Sequence, residues 1–278
     1  MPPKKQLPKH PRAYRNMEFL GSPDGRIIRI MAEFLEPQRR FRKHNIRDTI
    51  VFFGSARIKP RGESTTNLRA ARLKIKNVKR PTTVMMTSLH QAEMQLEMSR
   101  YYEDTVEVAR LLTRWSKTLK QRNRFVVCSG GGPGIMEAAN RGAYLAKGKS
   151  IGLNISLPFE QFANAYITPE LNFEFHYFFL RKFWFAYLAK ALVVFPGGFG
   201  TLDELLEVLT LVQTQKIKKK MTVVIYGSEY WTKVLNFDEM VSRGVLSKED
   251  LKLFKFIDTP KEAFLYLKKS LMKNYPTA

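Results

Sequence analysis

Short apolar runs alternate with helix-spaced segments over most of the chain. Residues Thr49-Ile50-Val51-Phe52-Phe53 are apolar almost throughout and close on Gly54-Ser55, the pattern of a buried strand meeting a turn. Phe125-Val126-Val127-Cys128 repeats it, ending in Ser129-Gly130-Gly131-Gly132-Pro133-Gly134. A helix is predicted over 135–145 and strands over 150–155 and 173–175, followed by an aromatic helix over 178–189. Ala191-Leu192-Val193-Val194-Phe195 is a further strand, turning through Pro196-Gly197-Gly198-Phe199-Gly200-Thr201 into a helix over 202–215. Beyond it the pattern gives a strand at 221–226, helices at 230–243 and 248–254, a short edge strand at 256–257 and a closing helix at 260–275.

Strands this short and continuously apolar are buried on both faces, and their alternation with helices predicts a doubly wound, Rossmann-like α/β fold: a parallel sheet with helices on both faces. Ahead of it lies an N-terminal helical and basic extension. Residues 1–24 carry five prolines and no sustained period and read as an extended arm. Residues 27–41 have helical spacing, with Pro37 expected to break or restart the helix. One long helix without internal Gly or Pro is predicted over 88–120. The expected organisation is therefore an arm and helix at 1–48 and an α/β domain at 49–278, with a basic insert at 57–87.

The 278 residues are 44% hydrophobic and 26% charged, which supplies a large core and excludes global disorder. No apolar stretch approaches the roughly 20 residues of a membrane-spanning helix, and the basic start has no apolar segment behind it to act as a secretory signal. A single cysteine, Cys128, leaves no intramolecular disulfide and suits a reducing compartment. A soluble, cytoplasmic protein with no membrane contact is the expectation.

Charge changes the picture more. The net charge is +22. Residues 1–100 hold 22 basic and 8 acidic side chains, a net +14, whereas residues 151–250 hold 10 and 11. Between Arg57 and Arg80 nine basic residues face only Glu63. That run reads as a solvated loop or basic helix face; a polyanion or nucleic-acid patch is the alternative, although no aromatic residue is present to stack a base.

Ligands of doubly wound sheets bind beyond the carboxyl ends of the strands, and two of those handovers here are glycine-rich. Free N–H groups at a helix start favour phosphate, and glycine lets its oxygens approach the backbone. The dinucleotide fingerprint fails, because Ile135 stands at its third glycine, and the near-Walker sequence at Gly148-Lys149-Ser150 runs from helix to strand.

The segment Pro196-Gly197-Gly198-Phe199-Gly200-Thr201-Leu202-Asp203-Glu204 resembles the PGGxGTxxE signature of the Lonely Guy (LOG) family. Arg181-Lys182, fifteen residues upstream, resembles its MxxRK element, with Phe178 where shorter members have Met. The turn Ser129–Gly134 with Ile135-Met136-Glu137, and the strand end Phe53-Gly54-Ser55-Ala56-Arg57, are similar to those of the longer bacterial members. The resemblance implies a phosphoribohydrolase of the kind formerly mislabelled lysine decarboxylase, an N-glycosidase releasing free base and ribose 5-phosphate from AMP or a cytokinin riboside 5′-monophosphate. It implies a homodimer or larger homo-oligomer. A non-catalytic nucleotide sensor or nucleic-acid-binding protein of the same fold superfamily is the alternative.

Cleaving such a bond passes through an oxocarbenium-like sugar, which calls for a carboxylate near C1′ and help for the departing base. By the resemblance these are Glu204 and Arg181. Glu204 lies in the first turn of its helix, where the dipole is expected to hold it ionised. Arg181, among aromatics, needs a partner, either substrate or a carboxylate such as Asp203 or Glu207. Substrate and phosphate contacts are expected from Ser55, Gly131, Gly132, Gly134, Met136, Glu137, Lys182, Gly197, Gly198, Gly200 and Thr201. No His, Cys and carboxylate cluster has metal-ligand spacing, so the reading is hydrolysis by water with neither metal nor cofactor.

Overall fold

The computed structural model describes residues 9–276 except 77, 122 and 158–161; the first eight residues of the expected arm lie outside that set. The chain opens with α1 (Met17–Gly21) and α2 (Arg26–Lys43) and enters the sheet at β1 (Thr49–Phe53). Helices α3 (Arg61–Lys76) and α4 (Thr83–Ser116) follow, then β2 (Val126–Ser129), α5 (Ile135–Leu145), β3 (Ser150–Ile155) and β4 (Asn172–Phe175). The second half runs α6 (Phe178–Leu188), β5 (Ala189–Val194), α7 (Phe199–Gln213), β6 (Thr222–Tyr226), α8 (Ser228–Val234), α9 (Phe237–Ser242), β7 (Phe254–Ile257) and α10 (Pro260–Asn274).

Among the described residues the seven strands are all parallel, in the order β4-β3-β2-β1-β5-β6-β7. The chain walks outward from β1 to β4, crosses back to β5 on the other side of β1, and walks outward again to β7. The β1/β5 boundary is thus the topological switch point, where a crevice opens at the strand carboxyl ends. Alternation along each strand divides the core. Ile50, Phe52, Val127, Val193 and Tyr226 face α4, α5 and α10. Val51, Phe53, Cys128, Leu192 and Ile225 face α6, α7 and α8.

Three local expectations are corrected. Pro37 does not interrupt α2: its ring is buried, and one turn on Phe41 packs on Phe173 and Trp184 with centroids 4.8 and 5.3 Å away. Tertiary burial here outweighs the lost backbone hydrogen bond. The arm is not extended throughout, because Asn16 accepts from the Phe19 N–H and starts α1. The helix expected over 230–243 is two, α8 and α9, the second begun by Asn16's counterpart Asn236, which accepts from the Glu239 N–H.

The basic run 57–80 is mostly helix. Its α3 pairs with the first half of α4 through a small cluster of Leu68, Ala71 and Ala92, with Leu89 and Leu96 against it. The extension packs on the sheet as well, since the Glu33 carboxylate in α2 accepts the His176 and Tyr177 N–H groups at the entry to α6. No helix among the described residues is long and apolar enough to cross a membrane.

Candidate functional site

At the switch point a cavity of about 710 Å³ opens between the ends of β1 and β5. Its floor is Phe53 to Arg57 beyond β1. One wall is the turn 197–204 leading into α7, and the other holds Gly130, Met136, Phe178 and Arg181, with Tyr230 and Val234 from α8 at the rim. Backbone bonds lock the floor in place: the Ser55 N–H donates to the Pro196 carbonyl at 3.0 Å, and the Ile135 N–H donates to the Ser55 carbonyl at 3.1 Å.

The start of α7 meets the requirements of an anion cradle. Among the described residues the N–H groups of Gly197, Gly198, Phe199 and Gly200 have no acceptor, while Thr201 and Leu202 already donate to the Gly198 carbonyl. Four free donors at a helix N-terminus favour negative charge. A side chain at Gly197 would overlap Thr201 Oγ1, so glycine there lets Thr201 fold back beneath the turn. From α8 the Tyr230 hydroxyl donates to the Gly197 carbonyl at 2.9 Å and fixes the turn from outside.

Glu204 is buried at 8% exposure, one turn into α7. Burial pushes its carboxyl up to about 7, against the opposing pull of Arg181 and Lys182. The helix dipole therefore does not keep it in the ordinary carboxylate range; desolvation wins. It takes part in no ion pair among the described residues, although its field acts on Arg181. Arg181, on α6, donates from Nε to the Leu153 carbonyl at 2.8 Å and stacks 5.1 Å from the Phe185 ring. Burial lowers its pKa and the Glu204 charge partly restores it; a guanidinium in this position stays cationic. The acids suggested as its partners belong to Lys182 instead, whose Nζ lies 2.7 Å from Asp203 and 2.9 Å from Glu207.

The sequence-derived set divides accordingly. Ser55, Met136, Arg181, Gly197, Gly198, Gly200, Thr201 and Glu204 line the cavity, and Gly131, Gly132, Gly134, Glu137 and Lys182 do not. Gly131 lies against the Asn154 amide, gives its N–H to Ser129 Oγ, and together with Gly132 has its carbonyl taken by Asn164. Gly134, at φ +69, lets α5 start in contact with the Ser55 carbonyl and Ala56. Glu137 accepts from the Tyr102 hydroxyl at 2.6 Å. Their work is to shape the second turn, and only Gly130 exposes its backbone to the cavity. A Cβ there would sit 2.6 Å from Arg181 Nη2 and 2.7 Å from Met136 Sδ. Sequence reasoning missed Gly130, Arg57 and Tyr230 as lining residues. Arg57 was legible beside Ser55, but nothing local marks Tyr230, which α8 brings to the rim.

Residues 136–267 match a family model described as possible lysine decarboxylase. Two curated relatives match shorter segments. The cytokinin riboside 5′-monophosphate phosphoribohydrolase LOG of Oryza sativa subsp. japonica is 35% identical over 88 residues, 31% of this chain and 36% of the relative. The corresponding LOG7 of Arabidopsis thaliana is 40% identical over 68 residues, 24% of this chain and 31% of the relative. The chain thus spans about a third of the length of these relatives. Among solved structures, the X-ray structure of the structural-genomics target TM1055 is 18% identical with a TM-score of 0.47, covering 80% of this chain and 99% of that one. The Moco carrier protein of Chlamydomonas reinhardtii is 21% identical with a TM-score of 0.40, covering 62% and 90%. The match to the family described as possible lysine decarboxylase thus takes in a little under half of the chain, and the 196–204 signature lies inside it.

Proposed function

We propose that the protein hydrolyses the N-glycosidic bond of a nucleoside 5′-monophosphate, AMP or a cytokinin riboside 5′-monophosphate. The observation that carries this reading is one cavity with an unpaired anion cradle at one end and an unpaired buried carboxyl, Glu204, one helical turn away. The 5′-phosphate takes the free N–H groups of the 197–200 turn and the Thr201 hydroxyl. The ribose then lies along the first turn of α7, with Glu204 facing its anomeric carbon.

As the C1′–N bond breaks, its electron pair leaves with the base and positive charge grows on the sugar. Ionised Glu204, itself buried in the cavity wall, stabilises that charge. Arg181, held by the Leu153 carbonyl and the Phe185 ring, directs its guanidinium over Gly130 at the base end and supports the electron-rich leaving group. Water supplies the oxygen that bonds to C1′ and a proton goes to the base nitrogen, giving free base and ribose 5-phosphate. Outside the cavity, α6 and α7 leave Phe179, Tyr187 and Leu206 exposed, which supports a homodimer formed across these helices.

The test is release of free base. Purified protein is incubated with AMP and with a cytokinin riboside monophosphate, and the products are separated by chromatography. Release by the wild type and its loss in Glu204→Ala and Arg181→Ala supports the reading; a wild type inert towards both overturns it. The nucleotide-sensor alternative predicts binding without release.

A further inference from the structure

The cradle is not the end of the crevice. A second groove of about 370 Å³ continues from it and shares Ser55, Arg57, Gly197, Gly198 and Tyr230 with the cavity. Its far wall is the first half of α4. His90, Met94 and Met98 stand four residues apart on one stripe, with Gln91 and Gln95 beside them. That half of α4 is the part braced by α3, so the insert at 57–87 supports the wall from behind.

The order of groups along the crevice is informative. Glu204 and Arg181 line the cavity and not the groove; the 197–198 turn lies between. With the phosphate on that turn, the sugar and base occupy the Glu204 side and the groove lies beyond the phosphate. Arg57 sits at the junction, exposed and in no ion pair among the described residues, a cation placed for a second phosphoryl group. Past it the walls are apolar, from Ile58, Met94, Met98 and the Tyr230 ring, with the amides of Gln91 and Gln95 available for hydrogen bonds. A bare polyphosphate would leave those walls unused, whereas a flat organic group with polar edges would fill them.

We propose that this groove is a subsite for a group attached beyond the 5′-phosphate, so that cavity and groove together take a pyrophosphate-linked nucleotide with a second organic moiety. The proposal rests on the phosphate orientation of the proposed function. Arg57 pairs with the distal phosphate, and the moiety attached to it packs between Tyr230 and the Met94–Met98 stripe. If such a ligand turns over, the same C1′–N bond breaks and the pyrophosphate is left intact.

Binding separates this idea from the hydrolase reading. Glu204→Gln protein, which holds ligand without cleaving it, is titrated calorimetrically with AMP, ADP and ADP-ribose, and the titrations are repeated with Met94→Trp and with Gln91→Trp added to fill the exposed groove. The expected result is ADP-ribose bound at least tenfold more tightly than AMP, with ADP between them, and that ratio reduced towards one by either tryptophan. Equal affinities, or a tenfold preference that survives both tryptophans, overturn the subsite. If the preference behaves as expected but the parent protein releases base from neither ligand, the subsite stands and the hydrolase falls. If neither ligand binds, both fall.

Discussion

Arg181 and Glu204 reach one cavity from different helices without closing into an ion pair: the guanidinium is tied to the Leu153 carbonyl at 2.8 Å, and the carboxyl is left with a pKa near 7. A closed pair would spend both charges on each other. Held apart, each remains available to a substrate, and each still tunes the other through space.

That coupling sets a pH dependence. If ionised Glu204 stabilises the sugar cation, kcat/KM for base release rises with pH and levels off above about 7, the free-enzyme value of this carboxyl. Arg181 lowers the Glu204 pKa, so removing its charge in Arg181→Gln raises it further. The residual activity of that variant is expected to rise only at higher pH than in the wild type. Initial rates from pH 5 to 9 check this; an unmoved midpoint assigns the limb to another group.

Glu204→Gln should separate activity from stability. In the unfolded chain the carboxyl ionises near its ordinary value of 4.5, and in the fold near 7. Between these values the folded state keeps a proton that the unfolded state releases, so stability falls as pH rises through the window and stays lower above it. The shift is worth about 3 kcal/mol at most. The amide has no such penalty. Its Tm should exceed that of the wild type at pH 8, with the difference shrinking as pH falls towards 4.5, while base release drops on the order of a hundredfold or more.

Much of this was legible in the sequence because strands buried on both faces write continuous apolar runs, and glycines mark where backbone must meet ligand or backbone. The central strands and the 197–204 wall were found that way; the edge strands β4 and β7 alternate instead, in Phe173-Glu174-Phe175 and Phe254-Lys255-Phe256. The second glycine turn shows the limit. Gly131 and Gly134 are as conspicuous as Gly197, but they are required by Asn154 and by the Ser55–Ala56 backbone, contacts between distant segments that spacing cannot reveal. Glu204 shows another: with the helix expected from 202 it reads as a first-turn residue, whereas α7 begins at Phe199 and Glu204 lies beyond the first turn, and the burial that raises its carboxyl is a tertiary effect that spacing cannot reveal.

Asn164 should matter for the second turn without touching substrate. Its side-chain amide donates to the Gly131 and Gly132 carbonyls and to Asn140 Oδ1, at 2.9, 3.1 and 3.0 Å. Asn164→Ala leaves the Gly132 carbonyl without its donor in a partly buried setting, while the Gly131 carbonyl keeps the residue-164 N–H and Asn140 Oδ1 keeps the Ser129 hydroxyl, a cost of about 1–3 kcal/mol. Thermal or urea unfolding measures it, and a change below about 0.5 kcal/mol would show that the network is dispensable.

The exposed face of α3 carries charge that the proposed chemistry does not use. Neutralising Arg69, Lys74 and Lys76 to Gln should leave base release from AMP unchanged. If the insert binds nucleic acid, the same change weakens that binding and flattens its salt dependence, with each lost phosphate contact lowering the slope by about one. Titrations of a labelled oligonucleotide at two salt concentrations decide between a solvated face and a polyanion surface.

The three glycines of the α7 turn make different predictions, because only one is required by packing. A side chain at Gly197 overlaps Thr201, whereas nothing lies within 4 Å of a Cβ at Gly198 or Gly200. Gly197→Ala should therefore destabilise the fold by about 1–3 kcal/mol, the usual result of overpacking. Gly198→Ala and Gly200→Ala should melt within a few degrees of the wild type, and Gly200→Ala gains helix propensity in the first turn of α7. If the free N–H groups there receive the 5′-phosphate, a methyl group at either position stands in the path of its oxygens. KM for AMP should then rise severalfold with little change in Tm. A KM unmoved by both substitutions would place the phosphate elsewhere and remove the anchor that sets Glu204 against C1′.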